Sequence, residues 1–179
     1  MRADAARNLD AVLETGARLL ARDPRTSIAA IAQAAGVDRR TVYRRFATRE
    51  ALMAAVHVAK LDACEEVFLQ ARLEKAPVVV AMHRYAEGII TVSRRWPVDV
   101  QQVQDQAAAA RLGRLVEQLD AFMGRAVREG FVRPGLPERW ARSLLVHLTN
   151  IAAHEMPELT PAQGADMVAQ SLFTGLSPT

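Results

Sequence analysis

Apolar residues recur along this chain at intervals of three and four, the spacing of one face of an α-helix. The first stripe is Leu9, Val12, Leu13, Ala17 and Leu20, predicting a helix over about 3–21. Asp23-Pro24 ends it, because Pro disfavours the helical conformation of the residue before it. Thr26 or Ser27 can cap a second helix whose inner face is Ile28, Ile31, Ala32 and Ala35. Gly36 stands where a left-handed turn residue is needed, and Asp38 caps a third helix only two residues on. Thr48 caps a long fourth helix, about 49–74, supported by Glu50 in its first turn. The stripe Val78, Ala81, Met82, Tyr85, Ile89 and Val92 predicts a fifth helix over 77–95, broken by Trp96-Pro97. A short sixth helix is expected over 98–106 and a seventh over 107–129. The seventh carries Leu112, Leu115, Val116, Leu119, Phe122, Met123 and Ala126. The run 130–137, with two glycines and two prolines, is a turn. An eighth helix is expected over 137–154, and a ninth from Pro161 to Thr174 capped by Thr160. No strand-like alternation persists anywhere. The expected fold is all-α, about nine helices, with no internal repeat and no flexible linker.

Composition narrows the class. A chain of 179 residues, half of them apolar, buries a real core without disulfides or metals. No apolar run approaches the roughly 18–20 residues of a membrane span, and the N-terminus alternates charge with Ala rather than forming a signal peptide. One cysteine, Cys64, matches a reducing compartment, so a cytoplasmic protein with no membrane partner is expected. The net charge of +3 says little; its distribution says more. Residues 1–60 hold eleven Arg/Lys against six Asp/Glu, leaving +5 there and −2 in the remainder. A basic first third on a slightly acidic body suits a head that binds a polyanion. Only two of the 23 basic residues are Lys; Arg suits phosphate and guanine contacts, but a GC-rich genome accounts for the bias as well.

The chemistry concentrates in residues 26–52. Two short helices joined by a tight Gly turn, the second one basic, is how a protein presents a helix to the DNA major groove. Arg39, Arg40 and Thr41 form the N-terminal turn of the second of these, the part that reaches base edges. Val42 and Phe46 share its inner face at i, i+4, which turns Tyr43 about 100° away toward the DNA side, where a phenol can donate to phosphate. Of Arg44 and Arg45, one can reach phosphate while the other is a surface charge. Thr26, Ser27 and Thr48 are helix caps first, with backbone N–H groups that can also meet phosphate. The bland alternative for the arginines is a solvated charge run.

These residues carry a resemblance. Thr26-Ser27-Ile28, Ile31-Ala32, Ala35-Gly36-Val37, Thr41-Val42-Tyr43-Arg44-Arg45-Phe46 and Glu50-Ala51-Leu52 resemble the tetracycline-repressor (TetR) family of bacterial transcriptional regulators over about 27 residues. One departure is Arg49, where the family usually has Lys; the charge, and with it a phosphate contact, is kept. The rest of the chain is similar only in its all-helical layout, its length and the Gly-Phe-Val-Arg-Pro turn. The resemblance implies a DNA-binding head of three helices, here 1–47, and a ligand-binding and dimerisation body, here 48–179. It implies a homodimer through the eighth and ninth helices on a palindromic operator. It also implies a repressor role, in which a small molecule in the body shifts the fourth helix and spreads the two heads.

Within the body, a site for an unknown, mostly apolar effector is expected among His57, Leu61, Met82, Tyr85, Ile89, Leu119, Phe122 and Met123. The competing expectation is that these stripes interdigitate as solid core. No cofactor is implied. His57, His83, His147 and His154 show no i, i+4 pair, and no Cys or carboxylate set completes a metal site. No phosphate-binding Gly loop, Ser elbow or Cys/His arrangement suggests an enzyme. The alternative to a regulator is an all-helical enzyme or interaction module whose helix-turn-helix is structural.

Overall fold

The computed structural model describes residues 2–102, 105–137 and 139–176. Among them are eight α-helices: α1 (Arg2–Arg22), α2 (Ile28–Ala34), α3 (Arg39–Arg45), α4 (Arg49–Ala71), α5 (Val78–Arg95), α6 (Gln106–Arg128), α7 (Trp140–His154) and α8 (Pro161–Leu176). The described residues contain no strand. None of these helices is long and apolar enough to cross a membrane.

Three boundaries differ from the sequence reading. The short sixth helix is reduced to one 3₁₀ turn, Val100–Gln102, and Val103 and Gln104 lie outside the described residues. The following helix starts where Asp105 accepts a hydrogen bond from the Ala108 amide at 2.8 Å, an N-cap that marks the break in the chain. α4 stops at Ala71, three residues early, because Arg72 takes φ 52°, a left-handed conformation that cannot continue the helix. α7 starts at Trp140 rather than Pro137; Arg139 before it is left-handed at φ 64° and makes no side-chain cap.

The chain divides into two compact units, Met1–Asp62 with Arg95–Ala109, and Ala63–Arg94 with Ala110–Thr179. The core of the first holds Val12, Leu13, Ala17 and Leu20 of α1, Ile28, Ile31 and Ala32 of α2, Val42 of α3, Phe46, and Leu52 and Val56 of α4, all buried. Gly16 lets the helices meet there. A Cβ at that position would lie 3.7 Å from both Ile31 and Val56, ordinary contact with no room to spare. Glu14 of α1 accepts from Arg95, which also lies over the Trp96 ring.

The second unit packs the ends of α4 and α5 with α6, α7 and α8. α7 and α8 form a close antiparallel-type hairpin neighbourhood joined by a short turn. Arg94 ties that turn, donating to the carbonyls of Ala152, Ala153, Met156 and Leu159 at 2.7–3.2 Å. These carbonyls are the ones a helix C-terminus leaves without intrahelical partners. α8 begins with a capping box: Gln163 N–H donates to the Thr160 hydroxyl, and the Gln163 side chain accepts from the Thr160 amide. Gly130 at φ 79° closes α6, with Gly130 N–H on Val127 and Phe131 N–H on Ala126.

Candidate nucleic-acid interface

The turn between α2 and α3 is set by local hydrogen bonds. The Ser27 hydroxyl caps α2, accepting from Ala30 N–H at 3.1 Å. Thr26 does not cap; its hydroxyl donates back to the Asp23 carbonyl at 2.8 Å. At the other end Gly36 takes φ 67°, donating to Gln33, while Val37 donates to Ala32. This pair satisfies the last carbonyls of α2 and requires a residue that tolerates the left-handed region. Asp38 then caps α3, accepting from the amides of Arg40 at 2.9 Å and Thr41 at 3.2 Å. Thr48 caps α4 through Ala51 N–H at 3.1 Å.

α3 is only seven residues long, and its faces separate cleanly. Val42 is buried, as is Phe46 just beyond the helix, whereas Arg39, Arg40, Thr41, Tyr43, Arg44 and Arg45 are exposed. At about 100° per residue, Arg40 and Arg44 lie opposite Val42, Arg39 and Tyr43 on one flank, and Thr41 and Arg45 on the other. The Arg39 guanidinium sits over the Tyr43 ring. Arg40, Arg44 and Arg45 make no hydrogen bond or ion pair among the described residues. Three unpaired guanidiniums on one short helix, with its other side sunk in the core, form a surface able to meet several phosphates and base edges.

Arg49 behaves differently. Its guanidinium donates to the Pro24 carbonyl and lies 3.7 Å from Glu50. It therefore ties the start of α4 to the loop before α2. The Glu50 carboxyl is held below the usual carboxylate range by its hydrogen bond to the backbone at the start of α4.

The residues expected to hold an effector fall in both units. Met82, Tyr85, Leu119, Phe122 and Met123 are buried in the second unit, and Ile89 is half-buried there. Tyr85 meets Phe68 edge-to-face, with ring centroids 5.3 Å apart. Burial pushes its phenol well above the ordinary value of 10, so it stays protonated. Leu61 is buried in the first unit, as is His57. His57 also lines a cleft of about 570 Å³ with Arg49, Glu50, Met53, Gln101, Gln102 and Asp105. Sequence reasoning missed the last three residues, because no periodicity links α4 to residues more than forty positions away. Among the described residues no cluster of three His, Cys, Asp or Glu could hold a metal ion.

Comparison with known proteins agrees with this geometry. No curated protein matches the chain at a significant level. Among solved structures, the TetR-like transcriptional regulator LfrR from Mycobacterium smegmatis, in complex with proflavine, is 23% identical. The match covers 97% of this chain and 99% of that one, with a TM-score of 0.72. The ketosteroid transcriptional regulator KstR2 of Mycobacterium tuberculosis is 16% identical over 94% of each chain, TM-score 0.77. AibR in complex with isovaleryl coenzyme A and operator DNA is 21% identical over 93% of this chain and 98% of that one, TM-score 0.73. These likenesses extend through the whole fold. Residues 12–56, which contain the α2–turn–α3 unit and its exposed arginines, match the model of the bacterial regulatory proteins of the tetR family, and through that segment the chain belongs to the TetR family of transcriptional regulators.

Proposed function

We propose that this regulator is a repressor that binds a near-palindromic operator as a homodimer and is released by a small, mostly apolar effector. The observation that carries the DNA reading is the set of unpaired guanidiniums of Arg40, Arg44 and Arg45 opposite the buried Val42. In this reading Arg39, Arg40 and Thr41 approach base edges, and Tyr43, Arg44 and Arg45 approach phosphates. One head covers too little DNA for tight specific binding, so two copies read two half-sites. The similar structures of AibR with isovaleryl coenzyme A and operator DNA, and of LfrR with proflavine, support the same logic.

The effector lining in this reading is Met82, Tyr85, Ile89, Leu119, Phe122 and Met123 of the second unit. Its two methionines are unbranched and adaptable, which suits a wall that must part around an apolar guest. The guest acts only if it prefers the conformation that cannot bind DNA. The test is selection of operators from a random duplex library by the full-length protein, followed by a salt titration. Enrichment of two half-sites spaced by about one helical turn or a multiple of it, with affinity falling steeply in salt, is the expected result. A chain that enriches no sequence, or whose binding ignores salt, is not an operator-binding repressor.

A further inference from the structure

The cleft that His57 lines lies wholly in the first unit, between the first turns of α4 and the residues 101–102 and 105–108. At about 570 Å³ it is large enough for a small molecule. His57 is 93% buried (7% exposed), and its Nε2 has no hydrogen-bond partner among the described residues. Roughly nine in ten buried polar groups are hydrogen-bonded. An orphan nitrogen on a side chain that walls a cleft therefore points to a partner the chain does not supply.

The chemistry of that partner follows from what is already taken. The Arg49 guanidinium is engaged by the Pro24 carbonyl and stands beside Glu50. The Asp105 carboxylate accepts from the Ala108 amide. The fixed charges of the rim are thus used locally. What stays available is the imidazole and the side-chain amides of Gln101 and Gln102, which are exposed and unpartnered among the described residues. Met53, Val58 and Ala108 give the cleft an apolar wall.

We propose that this cleft binds a small neutral amphiphile, whose hydroxyl or carboxamide head bonds His57 and whose short aliphatic body lies on Met53, Val58 and Ala108. Burial depresses the imidazole's basicity, so it is neutral near pH 7. A neutral imidazole has one donor and one acceptor nitrogen, and a hydroxyl matches either. The site is separate from the effector lining of the second unit and needs nothing of the regulatory reading.

The probes are hexan-1-ol, hexylamine and hexanoate, one aliphatic body with a neutral, a cationic and an anionic head. Full-length protein with labelled Met methyls and His rings is titrated with each and followed by NMR. Hexan-1-ol should shift the Met53 methyl and the His57 ring saturably, and the two charged probes should bind about tenfold more weakly. His57→Phe should weaken hexan-1-ol about fivefold to tenfold, the loss of one hydrogen bond. Ala54→Trp, at an exposed position on the cleft wall, should abolish the shifts by filling the space, and it keeps the test decisive if His57→Phe does not fold. Absence of saturable shifts, equal binding of the charged probes, or shifts at Met82 and Met123 with none at Met53 overturns the proposal.

Discussion

The Arg39 guanidinium lies over the ring of Tyr43, 5.1 Å from its centroid and one helical turn away on the exposed face of α3. A cation so placed is held by the electrons of the ring, an attraction of about 0.5–1 kcal/mol at an exposed site. Arg39 and Tyr43 therefore act as one unit, while Arg40, directly opposite Val42, projects away from the core.

Arg40 should carry more sequence discrimination than Arg39. Arg40→Ala should cost on the order of 1–3 kcal/mol on a selected operator and relax preference at one base pair. Tyr43→Phe should weaken all sequences to a similar extent, because a phenol on phosphate reads no base. Fluorescence anisotropy on an operator and its single-base variants measures both. If Arg40→Ala binds every variant as the parent does, α3 does not dock in this way.

Assembly should depend on α7 and α8. Their exposed large apolar side chains are Trp140 and Ile151 on α7 and Met167 on α8, each 39–54% exposed. On the opposite faces Leu145, Thr149, Val168 and Leu172 are buried. A helix apolar on two sides has one side left for a partner. Light scattering at micromolar concentration should give twice the chain mass of 19.6 kDa. A charge placed on that side, Ile151→Arg or Met167→Glu, should return the single-chain mass. A parent protein that is already monomeric removes the claim.

Two glycine substitutions should change stability in opposite directions. A Cβ on Gly88 of α5 would sit 2.6 Å from a Val67 methyl of α4, closer than atoms can approach, so Gly88→Ala should destabilise by about 1–3 kcal/mol. Gly113 of α6 has nothing within 4 Å, and Gly113→Ala should stabilise by about 0.5–1 kcal/mol through helix propensity. Urea unfolding of the two variants should move the midpoint down and up. Equal shifts would mean that α4 and α5 do not approach closely at Gly88.

Stability should fall in mild acid because of His57. Burial lowers its pKa from the ordinary 6.5, the Asp99 carboxylate opposes this, and the Lys60 ammonium adds to it. The unfolded chain thus takes up a proton near pH 6.5 that the folded protein refuses. This contribution is fully present above 6.5 and is lost as pH falls from there toward the folded value. A single proton limits the slope to about 1.4 kcal/mol per pH unit. Urea unfolding across that range should show the slope in the parent and a smaller one in His57→Phe. The same slope in both proteins would assign it to other groups.

Much of this molecule was legible from local chemistry. Ser27, Asp38, Thr48 and Thr160 are caps because a hydroxyl or carboxylate two or three residues ahead of an amide satisfies it wherever the chain goes. Gly36 is a turn because φ 67° costs glycine little. The stripes of α1, α5 and α6 announce helices because burial on one face repeats every 3.6 residues. The errors came where a residue defied its preference. Arg72 and Arg139 take left-handed conformations that a side chain ordinarily avoids, so the end of α4 and the start of α7 were misjudged.

What the sequence determined by itself was the order of the helices, their caps, and the short basic helix that carries Arg39 to Arg45. Each of these depends on residues within one or two turns of one another. Which of its arginines are free was decided only by the tertiary structure. Arg49 finds the Pro24 carbonyl 25 positions earlier, while Arg40, Arg44 and Arg45 find nothing. The same holds for His57, whose orphan nitrogen and cleft depend on Gln101, Gln102 and Asp105. Periodicity reports which face of a helix is buried, but it carries no information about what a distant segment brings against that face, and partners for buried polar atoms are chosen there.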